Sequence, residues 1–290
     1  MRDILNGILD IHVHAGPSIA NRALDAADML KEAQVAGYRG FLVKDHYFPT
    51  SMGAKMIAEH CDNKQGVEVY SAICLNNSVG LFNLNAVDIA VNMGAKIVYF
   101  PTVSAKNHID HHKGGFVGSG KASVPETPVV YVDEKGVMDP KAVEVLKYLA
   151  EKDVVLGTGH GNAWEIDHLV EKAVELGVKR ILVNHPHYHI GATYEQMSKW
   201  AAMGAYIELN VCVFTAGSKL GDRDDQVLAD MLKAVPLDRM ILDSDLGQVN
   251  NGSPVEGMYN FIQHLMKNFG LTREDIDLIA KTNPAKLLGV

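Results

Sequence analysis

The stretch "DIHVHAGPS" (residues 10–18) follows a short apolar run and sets His12 and His14 two positions apart with only Val13 between them. In an extended strand side chains alternate faces, so both imidazoles look toward one spot. Such a spot holds either a metal ion or a polar pocket without chemistry. The rest of the chain decides between them.

Seven more runs resemble the strand that leads into this stretch. They are "GFLVKDHY" (40–47), "VEVYSAICLN" (67–76), "KIVYFPTVSA" (96–105), "VVLGTGHG" (154–161), "RILVNHPHY" (180–188), "AYIELNVCVF" (205–214) and "RMILDSDLGQ" (239–248). Several are continuous in Ile, Val and Leu rather than alternating, as parallel strands buried on both faces are. Amphipathic segments such as "AADMLKEAQVAG" and "AWEIDHLVEKAVELG" lie between them, each closed by a glycine. Eight strands each followed by a helix is the rhythm of an α/β fold, the (β/α)8 TIM barrel. The competing fold, a doubly wound open sheet, requires a G-x-G-x-x-G turn after the first strand, and "HAGPS" does not supply it. One interval breaks the rhythm: residues 106–138 are rich in Gly and His, and "VVYVDEKGVM" near their end reads as a hairpin. The expectation is one domain over 1–290, with an insertion after strand 4 that acts as a lid at about 106–138.

Composition narrows the class. The chain has 290 residues, 47% hydrophobic and 21% charged, an ordinary globular balance with enough length for one large core. A formal charge of −8 argues against a nucleic-acid partner. No run of 18 apolar residues and no signal-peptide pattern is present, so neither a membrane span nor secretion is expected. Cys61, Cys74 and Cys212 are too few and too scattered for a disulfide framework, which fits a reducing cytoplasm.

In a barrel the site forms at the C-terminal ends of the strands. Those ends carry His12 and His14, then Lys44 with Asp45 and His46, then His160, His185 with His187, Glu208 with Asn210, and Asp243 or Asp245. Histidine and carboxylate from so many strands at one rim point to a divalent cation, since imidazole nitrogen and carboxylate oxygen are its usual donors.

"DIHVHAG", "TGH", "VNHPHY" and "LDSDLGQ", in that order, resemble the amidohydrolase superfamily of metal-dependent barrel hydrolases, and the tail "TNPAKLLGV" is similar to an N-P-A-x-x-L-G ending common there. "VKDHYFPT", "PTVSAKNH" and the Glu208 strand mark a poorly characterised subgroup. The resemblance implies a first ion on His12, His14 and Asp245, and a second on His160 and His185. It also implies a lysine carbamate bridging the two, normally from strand 4. Strand 4 has no such lysine here, so Lys44 on strand 2 is the candidate, with Lys106 a weaker substitute.

The implied activity is hydrolysis of an amide, cyclic amide, imide or lactone by a metal-activated water, with Asp245 moving the proton. Zn²⁺ is the first expectation for the metal, with Mn²⁺, Fe²⁺ or Ni²⁺ as alternatives. His46, Lys106, His108, His187 and Glu208 are expected near a small, anionic substrate. Competing readings are a single-metal decarboxylase or lyase of the same superfamily, and a phosphoesterase. Barrels of this kind often form homo-oligomers, although no sequence patch names an interface.

Overall fold

The computed structural model describes residues 3–113, 119–215 and 224–290. Eight strands, β1 (Leu9–Val13), β2 (Gly40–Val43), β3 (Glu68–Cys74), β4 (Ala95–Tyr99), β5 (Val155–Gly157), β6 (Ile181–Val183), β7 (Tyr206–Asn210) and β8 (Met240–Asp243), pair in sequence order, every pair parallel. The ring closes where β8 runs past β1. His12 accepts from the Asp245 amide at 2.8 Å, His14 donates its amide to Leu246 at 2.8 Å, and Val13 bridges Leu246. Gly247 (φ +108°) belongs to this seam, and a Cβ there would meet the His14 carbonyl at 2.0 Å. Closed, sequential and parallel, the sheet is a TIM barrel and not a doubly wound sheet.

The helices are α1 (Ala26–Ala36), α2 (Ser51–His60), α3 (Leu84–Asn92), α4 (Lys106–His111), α5 (Pro140–Lys152), α6 (Ala163–Glu175), α7 (Tyr194–Ala202), α8 (Val211–Phe214), α9 (Asp225–Ala234), α10 (Pro254–Phe269), α11 (Arg273–Asp277) and α12 (Asn283–Leu288). Asp25 caps α1 through the Asp28 amide, and Asn162 with Glu165 forms a capping box on α6. The core has two shells. An outer one, with Met29, Val98, Leu146 and Trp200 among its members, lies between strands and helices. An inner one fills the barrel with Leu9, Ile11, Leu42, Ile97, Leu182 and Ile241. Leu287 and Leu288 of α12 join the inner shell, so the N-P-A-x-x-L-G tail is a plug. Asn283 ties it down by donating to the carbonyls of Leu237 and Met240.

The inner shell exposes a detail that alternation alone misses. The β1–β2 register slips by one residue between Asp10 and Val13. Leu9 and Ile11 point inward below the slip. The bulge then reverses the parity, so that His12 and His14 also face the interior while Val13 joins the outer shell.

Two segments differ from the strand-like reading. "VCVF" (211–214) is not a continuation of β7 but the short helix α8, with Phe214 stacked on Phe261 of α10. A four-residue apolar run does not distinguish strand from buried helix. Between β4 and α5 the chain forms α4, then a turn in which Val132 bridges Met138. Residues 114–118 of the expected lid lie outside the described residues. Among the described residues no helix is long and apolar enough to cross a membrane.

Candidate metal centre

The rim above the inner shell is polar and buried. Glu208 Oε1 lies 2.7 Å from His12 Nδ1, so this imidazole donates from Nδ1 and presents Nε2 to the mouth. His14 donates from Nδ1 to the Lys44 carbonyl at 3.1 Å, and His185 from Nδ1 to Asn210 Oδ1 at 2.7 Å. In all three rings the orienting bond consumes one nitrogen and leaves the other for a ligand. Asp245 Oδ1 stands 3.1 Å from His12 Nε2 and 3.0 Å from His14 Nε2.

Asp245 is itself held in place. Cys212 donates its thiol to Oδ2 at 2.8 Å, and Gln248 donates to the Asp245 carbonyl at 2.9 Å. His185 (φ +44°) and Asp245 (φ +46°) both adopt the left-handed backbone region, which costs an L-residue about 1–2 kcal/mol. That strain falls on two residues whose side chains face the same space.

Burial opposes the charged form of His12, but the Asp245 and Glu208 carboxylates outweigh it and raise His12 above the usual histidine value, whereas the other imidazoles of the rim are lowered. Burial, helped by the nearby Arg22 guanidinium, pushes His14 down to about 3. Burial likewise holds His46 and His160 well below the usual histidine range and lowers His185. Burial opposes ionisation of Asp245, but His12 and His185 outweigh it and keep this carboxyl well below its ordinary value. Glu208 is lowered in the same way, chiefly by His12 and His185 against its burial. Asp243 is the opposite case: burial and then the neighbouring Glu208 raise it well above the carboxylate range. Only Asp245 of the two strand-8 aspartates reaches the histidines. Asp243 accepts from Asn210 Nδ2 at 2.6 Å and so supports the residue that orients His185.

Lys44 is fully buried, its Nζ 2.9 Å from His12 Nε2 and 4.4 Å from the centroid of the Tyr99 ring. Tyr99 is the inward residue at the end of β4. The strand-2 lysine therefore arches over the position from which a strand-4 side chain would rise. Asp45, the nearest acid in sequence, pairs instead with Arg22 at 3.3 Å.

Other expected residues fall at different depths. His46 is buried between His14 (ring centroids 4.9 Å apart) and His160 (5.8 Å), its Nδ1 2.9 Å from Thr102 Oγ1. His108 is buried against His160, with the two Nδ1 atoms 2.9 Å apart. Lys106 is exposed and paired with Asp110, and His187 is exposed. Glu208 lies beneath the imidazoles, bonded to His12, to Asn184 Nδ2 (3.0 Å) and to the His185 amide (3.1 Å). It therefore fixes the orientation of His12 and the His185 backbone, and it groups with His12 and His185 as a third set of candidate donors.

Arg22 and Cys212 escaped the sequence reading. Arg22 sits in the β1–α1 loop with its side chain 3% exposed, and its Nε and Nη1 are buried without a partner. A lone arginine in a loop gives no signal in sequence. Next to the mouth, Ile19, Phe48, Met52, Met56 and Asp45 line a largely apolar groove of about 830 Å³.

The donor set fits a divalent transition metal. Among the described residues three groups, His12–His14–Asp245, His12–His185–Glu208 and His108–His160–His189, each bring three donor atoms within 4.8 Å of one another, and His160 Nε2 is buried without a hydrogen bond.

Residues 7–208 match the model of a family of unknown function, DUF6282. The chain belongs to that family. No curated protein matches. Solved structures of the same fold include an amidohydrolase from Pseudomonas aeruginosa (11% identity, TM-score 0.66, covering 99% of this chain and 97% of the other). A dipeptidase of metallo-peptidase family M19 aligns at 12% identity and TM-score 0.60, covering 98% of both chains. An organophosphorus hydrolase from Deinococcus radiodurans aligns at 15% and 0.59, covering 98% of this chain and 92% of that one. These structures share the barrel fold of this chain over nearly its whole length.

Proposed function

We propose that this DUF6282 protein is a metal-dependent hydrolase that cleaves an amide, cyclic amide, imide or lactone bond in a small anionic molecule. The observation that carries the reading is the set of orienting bonds from Glu208, the Lys44 carbonyl and Asn210. They set Nε2 of His12 and of His14 against Asp245 Oδ1, at 3.1 and 3.0 Å, and tie His185 to Asn210 through Nδ1. Evolution of a merely packed polar pocket has no reason to fix three tautomers in this sense.

His12, His14 and Asp245 would hold one ion, and His160 would contribute to a second. Zn²⁺ suits these donors best, and Mn²⁺, Fe²⁺ and Ni²⁺ also suit them. A bound divalent ion supplies water with a pKa near about 7. Asp245 would take a proton from the attacking water and return it to the leaving group, its carboxylate held by Cys212 on Oδ2 and by Gln248 Nε2 on Oδ1 at 3.4 Å. Arg22, whose Nε and Nη1 have no partner, would meet the anionic end of the substrate. The apolar groove beside Asp45 takes the uncharged remainder.

Lys44 would supply the bridging ligand: an N–C bond from Nζ to CO₂, formed with loss of a proton, would give a carbamate able to hold metal ions. The bond between Lys44 Nζ and His12 Nε2 favours a second reading, in which the amine stays unmodified, one ion binds, and the chemistry is decarboxylation or another lyase reaction.

Metal content per chain by inductively coupled plasma mass spectrometry, followed by an assay panel of lactones, cyclic amides and simple phosphate esters, tests the proposal. About two ions and turnover of a C–N or C–O substrate are expected. Full turnover by a metal-loaded Asp245→Asn variant would refute the role of Asp245. Failure to bind metal even after reconstitution would overturn the whole reading.

A further inference from the structure

The second cluster of histidines is not the one the superfamily resemblance implies. That resemblance pairs His160 with His185, but the donor atoms of His185 group with those of His12 and Glu208, and those of His160 group with His108 and His189. We infer that His108, His160 and His189 together hold a divalent transition-metal ion, so that helix α4, outside the barrel wall, completes the second metal position. This deepens the metal-centre reading above and rests on it only in taking the rim as a place where ions bind.

Three connections deliver these rings: β4–α5 carries His108, β5–α6 carries His160 and β6–α7 carries His189. His160 and His189 stack at 4.5 Å with planes 10° apart, and His108 lies 4.9 Å from His160 and 5.3 Å from His189. The Nδ1 atoms of His108 and His160 are 2.9 Å apart. Two imidazole donors on one tetrahedral Zn²⁺, with bonds of about 2.0–2.1 Å, stand roughly 3.3 Å apart, so the present spacing needs only a small adjustment.

Asn107 builds the cluster. Its Nδ2 donates to the His160 carbonyl at 3.1 Å and to the His189 carbonyl at 2.8 Å, so the residue before His108 fastens both partner loops to α4. His160 is 2% exposed, and its Nε2 is buried without a hydrogen bond. Burial also keeps His108 (down to about 3), His160 and His189 neutral, the form that ligates.

No carboxylate belongs to this group. An ion held by three neutral imidazoles keeps its full positive charge, and three protein ligands leave a further position open. That position suits an anionic oxygen, either hydroxide or the acyl or acidic oxygen of the substrate.

The test compares three proteins: wild type, His108→Gln/His189→Gln and His12→Gln/His14→Gln. Each is stripped of metal and titrated with Co²⁺, followed by visible d–d absorption and by bound metal after gel filtration. Two equivalents in wild type and one in each double variant are expected. Two undiminished equivalents in His108→Gln/His189→Gln would overturn the inference and leave the His12 site standing. A single wild-type equivalent lost only in His12→Gln/His14→Gln would do the same. A single equivalent lost only in His108→Gln/His189→Gln would support the inference while removing the His12 site, and no binding at all would remove both. If the His108→Gln/His189→Gln variant does not fold, anomalous diffraction from zinc-loaded wild-type crystals decides: a peak among the three rings supports the inference, and a peak only beside His12 and His14 overturns it.

Discussion

Glu208 shows how one buried side chain governs several others. It orients His12, accepts from Asn184 and receives the His185 amide. Glu208→Gln is nearly isosteric but offers N–H where an acceptor is needed. It should weaken metal binding by about 10–100-fold, as loss of an orienting partner does, while the fold persists. Competition against a chelating dye reads this directly, and unchanged affinity would remove Glu208 from the site. Asp10 gives a second residue-scale prediction. Burial raises its carboxyl to about 6 from 3.8. The folded state therefore binds a proton that the unfolded chain has released between about pH 4 and 6, and stability falls as pH rises through that window, by up to roughly 3 kcal/mol. The buried histidines, held below their usual value, act in the opposite sense over the same range, so the Asp10 effect is read as a difference. In metal-free protein, urea titrations at pH 4.5 and 7.5 should show wild type gaining less stability with rising pH than Asp10→Asn does. The ligand-type residues were legible because histidine and aspartate at strand ends are rare for packing alone. Glu208 was legible as polar but not as a support, and Arg22 not at all, because its meaning lies in unpartnered N–H groups that only three dimensions reveal.

At the scale of elements, the strands were readable because parallel strands are buried on both faces, and their order follows from the helix between each pair. Their ends were not. β5 and β6 are three residues each, and the polar "TGHG" and "NHPHY" that follow are loops in which His160 and His185 sit. The β1 bulge was likewise hidden, since a register slip leaves no mark in the order of apolar and polar residues. The β4–β5 contact has a sharper consequence. A Cβ on Gly157 would lie 2.3 Å from the Tyr99 ring, the ring over which Lys44 extends. Gly157→Ala should therefore cost about 1–3 kcal/mol of stability and disturb Lys44 together with Tyr99. The expected outcome is a lower denaturation midpoint accompanied by reduced metal stoichiometry. A variant with wild-type values for both would show that the β4–β5 packing does not set the position of Lys44.

The whole molecule ties its two ends to one function. The mouth of the barrel is built from loops after eight strands, while its floor is the α12 plug. Arg180, at the start of β6, donates to the carbonyls of Lys286 and Leu287 and pairs with Asp153. The mouth concentrates buried carboxylates, neutral imidazoles and a lysine, groups that a cation would reconcile and that burial alone does not stabilise. An ion that binds only the folded barrel adds RT ln(1 + [L]/Kd), about 2.7 kcal/mol at a free concentration one hundred times Kd. For a chain of this length that corresponds to a rise in Tm of roughly 4–5 °C. Thermal scans should show this rise on adding Zn²⁺ to chelator-treated wild type, and little of it in His12→Gln/His14→Gln. Removing Arg180 acts at the other end: Arg180→Ala should lower Tm equally with and without Zn²⁺, because the plug and the mouth share the barrel wall but no ligand. A loss of the Zn²⁺ effect in Arg180→Ala would instead mean that the floor and the metal centre are energetically coupled through the strands.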